Sequence, residues 1–365
     1  MHYSAPGKLF LLGEWAILEM GNTGVVAAVN KRVHSMVSDN SNGISITLED
    51  FEIKDLKCEF DGQKLRFNSD ITVIADKLKF IKESIEAALR FVNEKGLQQK
   101  PFMIKTWNEE LQIDGKKVGF GSSAAATVAV VASVLAYHDY PAEKEEVYKL
   151  ATIAHYFAQG KVGSAFDVAA STYGGIFVYK RFDPQWLQQK VDAGIGLPDI
   201  VDDKWPGLYV EQLEQFPDFH LAVAWTGDSA STAEAIKKMQ AFKESQRTEY
   251  DRLMSSISKI AEEFVKAWKM LDSEKAWRCI KQNKELLREL TEKSGVNIEN
   301  AQLKLLAELA EEYGGAGKLS GAGGGDCGIG VGFDYYVVEG IKEKWKENGL
   351  HVLDVKLDSD GIRKE

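Results

Sequence analysis

Apolar positions recur along this chain in two periods, and the order in which the periods alternate outlines the fold. From Tyr3 to about Phe67 short apolar stretches at 25–29, 33–37 and 44–48 are broken by Gly-Asn and Ser-Asn-Gly signals, which predicts strands and turns. Ile74, Leu78, Ile81, Ile85, Ala88, Leu89 and Val92 then recur at helical spacing, so a helix is expected over 74–94, ending at Gly96. Residues 102–107 and 111–118 read as a strand pair joined by a polar turn. After Gly119-Phe120-Gly121-Ser122-Ser123 an apolar helix runs to Tyr137, followed by a helix over 143–159, another starting near Phe166 and a strand over 174–179. The stretch 183–218, rich in Pro, Gly, Asp and Trp, lacks periodicity and reads as a connecting excursion. The second half restarts with a strand at 219–225 and helices at 231–243, 250–271, 273–294 and 301–313. A glycine-rich loop, a strand at 327–333, a helix at 335–348 and a strand at 351–357 complete it. This alternation predicts an α+β protein of two domains, 1–215 and 216–365.

Composition narrows the function classes. A net charge of -10, from 45 Lys+Arg against 55 Asp+Glu, argues against general nucleic-acid or anionic-membrane partners, while leaving room for a local anion pocket. The 3 cysteines, Cys58, Cys279 and Cys327, are too few and too scattered for a disulfide framework or a zinc site of short spacing. No charged leader precedes the short apolar run 9–12, and the most apolar helix is shorter than the ~20 residues that span a bilayer. A cytoplasmic protein, monomeric or homodimeric, is expected. The unexplained feature is glycine, 32 residues against 7 prolines, gathered in clusters.

One cluster opens the apolar helix, in GFGSSAAATVAVVASVLAY. Free backbone amides and the positive end of a helix dipole meet there, as they do where proteins hold phosphate, and the hydroxyls can add a magnesium ligand. The alternative is an ordinary serine cap on a buried helix. The letters also fit G-x-G-x-x-A, but a dinucleotide fold needs a buried strand before the glycines and a parallel strand after the helix. A hairpin-like polar stretch precedes and another helix follows. No G-x-x-x-x-G-K-[ST] occurs either.

The second cluster, KLSGAGGGDCGIGVGF, follows a helix and leads into alternating Ile329, Val331 and Phe333, a strand with glycine on its other face. Ser320, Asp326 and Cys327 within it favour a backbone cradle for a ligand over a hinge. Near the N-terminus Lys8 sits after Pro6-Gly7, before an apolar run; taken alone it is an ordinary surface lysine. In AHYFAQGKVGSAFDVAAS, Asp167 stands at a helix start among small residues, either as a cap or as a site carboxylate. His155 and Gln159 lie one helical turn apart on one face, and a satisfied buried polar pair is the simpler account of them.

In this order, PGKLFLLGEW, GFGSSAA and SGAGGGDCG resemble the three signature motifs of the GHMP kinase superfamily, across nearly the whole chain. AHYFAQGKVGSAFDVAAS, AWTGDSAST and Asp326-Cys327 resemble the phosphomevalonate kinase branch of that superfamily. Ala165 departs from the glycine usual there. The resemblance implies a two-domain GHMP kinase fold, with an N-terminal α+β domain containing a left-handed crossover, a ferredoxin-like C-terminal domain, and a site in the cleft between them.

It also implies transfer of the ATP γ-phosphoryl group to 5-phosphomevalonate, with Mg²⁺ and ATP as cofactors. On that pattern Lys8 and Asp167 face the transferring group. Gly119, Gly121, Ser122, Ser123 and Ala124 wrap the phosphates and Ser123 binds the metal. The adenine-contacting side chains are not identified by the motifs; Trp107 and Asn108, just before the phosphate loop, are the candidates. Acceptor contacts are expected from Lys8, Glu14, His155, Lys161, Ser164, Ser231, Thr232, Ser320, Gly321, Ala322, Gly323 and Gly324. A mevalonate kinase, whose alcohol acceptor requires Asp167 as a true base, is the alternative in the same class; a noncatalytic ligand-sensing relative is the alternative in another.

Overall fold

The computed structural model describes residues 1–109, 112–113, 116–227 and 232–365. The first half of the chain builds one large sheet. Its strands are β1 (His2–Leu12), β2 (Gly24–Asp39), β3 (Ile44–Leu48), β4 (Ile53–Phe60) and β5 (Leu65–Phe67), then, after helix α1 (Ala75–Glu94), β6 (Phe102–Asn108). The 16 residues of β2 run along β1 on one side; on the other, Gly24–Ala27 pair with a later strand and Val33–Asp39 with β6. β3 and β6 are parallel, and the other ladders of this sheet are antiparallel.

A small hairpin, β7 (Gln112–Ile113) and β8 (Lys116–Lys117), pairs only within itself, so the expected pairing of 102–107 with 111–118 is corrected. β6 is already paired on both edges, with β2 and β3, which leaves the polar segment to fold on its own. Next come α2 (Ser122–Tyr137), α3 (Lys144–Ala158), α4 (Phe166–Tyr173) and β9 (Ile176–Lys180). α2 is apolar all round because it packs on β1 and β2 and is flanked by α1, α3 and α4.

The segment 183–218 is not a structureless excursion. Asp183 caps α5 (Pro184–Asp192) by accepting from the amides of Gln185 and Trp186; α6 (Leu197–Asp202) follows, and β10 (Tyr209–Leu213) extends the sheet beside β9. Both helices are short, and α5 buries only Leu187, which explains the missing period.

The second half forms a four-stranded antiparallel sheet from β11 (His220–Trp225), β12 (Ala316–Leu319), β13 (Cys327–Gly332) and β14 (His351–Leu353), in the order β12-β13-β11-β14. Its helices are α7 (Thr232–Ser245), α8 (Arg247–Lys269), α9 (Ser273–Ser294), α10 (Ala301–Glu312) and α11 (Tyr335–Glu347). β12 was not expected, and the last strand is shorter than the period over 351–357 suggested. The glycine face of β13 seats α10 and α11: Leu306 lies over Gly328 and Trp345 over Gly330. The chain then returns to the first sheet, where β15 (Arg363–Lys364) pairs with β1.

Side chains of both halves share one core, with Phe264, Trp268, Cys279 and Ile329 in the same cluster as the first sheet. All three cysteines are buried and unpaired. No described helix is long and apolar enough to cross a membrane.

Candidate active site

The apolar period of α2 starts directly after its glycines, and this places the phosphate loop at the helix mouth. Gly121 stands at the cap position with φ 78°, a left-handed conformation that glycine adopts without a Cβ penalty. The amides of Ala124 and Ala125 donate to its carbonyl, and those of Ser122 and Ser123 lie ahead of this first turn. No side chain caps the helix. Gly119 is needed for closeness, since a Cβ there would stand 2.7 Å from the Asp326 side chain.

β1 brings Lys8 to the same loop. Its amide donates to the Phe120 carbonyl at 2.8 Å, and its ammonium donates to the Gly119 carbonyl at 2.7 Å. Asp167, in the first turn of α4, accepts from the amide of Val168 at 3.0 Å. The preceding Ala165 holds φ 60°, so the left-handed turn survives although alanine replaces the expected glycine. Lys8 and Asp167 face a cleft of about 610 Å³ lined also by Gly119, Gly121, Ser122, Ser123, Ser164, Ser320, Gly321 and Ala322. Ser320 is fixed there because its hydroxyl accepts from the amide of Phe10 at 2.8 Å.

A second cavity, about 430 Å³, shares Ser122 and Ser123 with the first and is walled by Val33, Phe51, Phe80, Thr106 and Asn108. The serines therefore stand between two compartments, one walled by Phe51 and Phe80 with Asp50, Asp76, Lys77 and Lys79 around them, the other holding Lys8 and Asp167.

Several expected contacts lie elsewhere. Trp107 turns away from both cavities and stacks on His34 at 5.0 Å, because neighbouring positions of β6 face opposite sides. Ala124 is fully buried behind the loop. Glu14, by contrast, does line the cleft, but its carboxylate is wholly buried and already engaged by Lys318 and by Asn283, whose Nδ2 is 3.0 Å away. Burial pushes Glu14 up and Lys318 down.

Lys161 is exposed outside the cleft, over Phe157. Gly323 and Gly324 tie their loop to Ile298, whose carbonyl accepts from Gly324. His155 is 2% exposed and lines neither cavity; its Nε2 sits 3.2 Å from Ser123 Oγ, its ring stacks on Phe80, and burial pushes its pKa down. Its helical neighbour Gln159 is the one that reaches the cleft. Ser231 lies outside the described residues, and Thr232 opens α7.

Sequence reasoning missed other lining residues: Trp15, Ile17, Leu18, Lys116, Phe166 and Ile236; Asp326, singled out in its glycine-rich loop, does line the cleft. Trp15 has φ 63°, the one retrievable signal being its place in the first motif. Arg181 ties this end together, donating to the carbonyls of Leu18 and of Gly163. Tyr179 holds the Ser164 carbonyl at 2.5 Å, while the Ser164 hydroxyl and the Trp15 indole N–H are buried without a partner among the described residues.

An uncapped helix mouth, a lysine from the first strand and a carboxylate around one interlobe cleft define a small-molecule kinase. Residues 80–175 match the GHMP kinases N terminal domain and residues 271–351 the GHMP kinases C terminal domain, and the chain belongs to the GHMP kinase family. It is 29% identical to the phosphomevalonate kinase of Streptomyces sp. (strain CL190), covering 98% of this chain and 97% of that one. Among solved structures, a Lin0012 protein from Listeria innocua superposes with a TM-score of 0.90 at 32% identity, covering 100% of this chain and 99% of that one. The Streptococcus pneumoniae phosphomevalonate kinase in complex with phosphomevalonate and AMPPNP shares the fold, with a TM-score of 0.83 at 23% identity, covering 98% of this chain and 99% of that one.

Proposed function

We propose that the protein is a phosphomevalonate kinase, transferring the γ-phosphoryl group of ATP to the phosphate of 5-phosphomevalonate to give 5-diphosphomevalonate and ADP. The observation that carries this is the convergence of the α2 mouth, Lys8 and Asp167 on one cleft, in a chain similar to a phosphomevalonate kinase over its whole length. The cavity walled by Phe51 and Phe80 takes the nucleotide base, the amides of Ser122 and Ser123 take its phosphates, and the acceptor occupies the cleft towards Trp15 and Ser164.

The donor set fits magnesium carried by a nucleotide. Ser123 and Asp167 offer hard oxygen atoms to the cleft, yet no group of three His, Cys, Asp or Glu among the described residues could hold a metal without the phosphates. When bound, Mg²⁺ supplies charge neutralisation at the phosphates.

In the step itself an oxygen of the acceptor phosphate forms a bond to the γ-phosphorus. The bond to the β,γ-bridging oxygen breaks, and its electron pair leaves on ADP. A phosphomonoester has its second pKa near ~6, so the attacking oxygen is already anionic and no base is required. The obstacle is repulsion between two anions. The Lys8 ammonium has three N–H groups and spends one on Gly119, leaving two for phosphate oxygens. Asp167 orients the acceptor or the ammonium. The buried, unpaired cysteines and the lack of a membrane-crossing helix among those described support a cytoplasmic setting.

The test is to incubate purified protein with ATP, Mg²⁺ and either phosphomevalonate or mevalonate, following ADP release and product phosphorus spectra. Turnover of phosphomevalonate and not of mevalonate is expected. Turnover of mevalonate alone would reassign the enzyme as a mevalonate kinase, and no turnover of either would favour a noncatalytic role.

A further inference from the structure

His155 lies behind the phosphate loop, with Nε2 3.2 Å from Ser123 Oγ and its ring stacked on Phe80 at 4.9 Å and 27°. Phe80 walls the aromatic cavity, and Ser123 borders both cavities. One buried ring thus touches a wall of the base compartment and the hydroxyl at the phosphate compartment. The Ser123 backbone is held separately, since its carbonyl accepts from the Thr127 hydroxyl at 2.9 Å. What remains free to turn is the Ser123 O–H.

A serine hydroxyl has one hydrogen and two lone pairs, and a neutral imidazole has one donor and one acceptor nitrogen. If Nε2 carried the hydrogen, it would consume a lone pair and the serine hydrogen would face the cleft, where it repels a cation. If Nε2 is the acceptor, the serine hydrogen is drawn away from the cleft and the lone pairs are left for the metal. We propose that His155 is a positioning residue for phosphoryl transfer, accepting the Ser123 hydroxyl hydrogen so that this oxygen presents its lone pairs to the magnesium–nucleotide complex. The ring never touches substrate; stacking on Phe80 sets its plane. This rests on the reading of the site as a magnesium–nucleotide site.

His155→Phe keeps a ring against Phe80 and removes the acceptor, and His155→Gln keeps an acceptor at similar reach. ADP binding is measured by calorimetry for the native enzyme and both variants, with and without Mg²⁺, beside thermal melts. Without Mg²⁺ all three are expected to bind ADP alike. With Mg²⁺, His155→Phe should lose about 10–100-fold in metal affinity, the usual effect of removing a group that orients a metal ligand. His155→Gln should keep most of the gain. In turnover, the Mg²⁺ concentration for half-maximal rate should rise for His155→Phe, with kcat largely regained at high Mg²⁺.

Should His155→Phe fail to fold, His155→Leu, which also lacks the acceptor, supplies the second arm: it must lower the Mg²⁺ gain in the native background and leave it unchanged in Ser123→Ala, and a loss of the same size in both backgrounds overturns the proposal. An undiminished metal gain in folded His155→Phe overturns the proposal, as does equal loss in both variants at native melting temperature. A native enzyme whose ADP binding gains nothing from Mg²⁺ overturns it too, through Ser123, and leaves the acceptor assignment to stand on its own assay.

Discussion

The ammonium of Lys8 is bonded to the carbonyl of Gly119, 2.7 Å away, and not to the carboxylate of Asp167. The only cation of the first strand facing the cleft is therefore built into the phosphate loop, with the Phe120 carbonyl holding its backbone. Lys8→Met is expected to lower kcat by about 10²–10³-fold, the scale of removing one preorganised electrostatic donor. Its stability cost should stay near ~1 kcal/mol, one hydrogen bond. Asp167→Asn is expected to lose less, because the acceptor oxygen is already ionised. Steady-state kinetics beside melting curves check both; a greater loss in Asp167→Asn than in Lys8→Met would refute the proposed division of roles.

The Glu14–Lys318 pair, sealed with Asn283, joins the first motif to β12. Glu14→Gln strands an ammonium in the interior, and the expected cost is about 3–5 kcal/mol. Urea unfolding gives the number, and the KM for acceptor should hold, since the carboxylate is spent inside the protein. A loss under ~1 kcal/mol would mean that the pair shares its proton and is buried neutral, the direction in which burial pushes both groups.

Ala165 pays for its φ of 60° in backbone strain, a conformation that costs an L-residue about 1–2 kcal/mol. Ala165→Gly removes the strain and adds unfolded-state entropy, so a net gain of about 0.5–1 kcal/mol is expected. Since Ala165 precedes α4, turnover should be nearly unchanged. A lower midpoint in denaturant would contradict the argument.

His138 is buried with Nδ1 against the Val134 carbonyl at 2.8 Å and Nε2 unpartnered among the described residues; burial holds its pKa below the usual 6.5. Below about pH 6.5 the unfolded chain therefore takes up a proton that the folded state refuses, and stability falls as pH falls. His138→Asn keeps a donor for Val134 and removes that titration. Its stability-against-pH curve should be flatter than the native one between pH 7 and about 5; parallel curves would remove His138 from the acid response.

The elements nearest the chemistry were legible because an uninterrupted apolar run or a strict alternation begins directly after their glycines. The run after Gly121 is helical from its first turn, and β13 alternates glycine with Ile329 and Val331 because α10 and α11 lie on the glycine face. α5, α6 and β12 escaped, being too short to display a period, although Asp183-Pro184 is a helix-start signal. Within the site, the end of α3 decides which side chains line the cleft. α3 ends at Ala158, and the left-handed Lys161 turns its side chain outward, so the cleft receives Gln159 instead. Lys116, from β8, and Asp326, from the loop before β13, are distant in sequence and reach one cleft only through the fold.

The return of the chain to its first sheet has a consequence for synthesis. Arg32 is almost wholly buried and leans on Asp358 and the Gly361 carbonyl, while Val29 bridges to Leu357. On the ribosome, the sheet that carries Lys8 must wait for more than three hundred residues before its buried guanidinium finds a counter-charge. The pairing of β1 with β2 is local, but its other edge is covered, and its buried guanidinium compensated, only by residues made more than three hundred positions later.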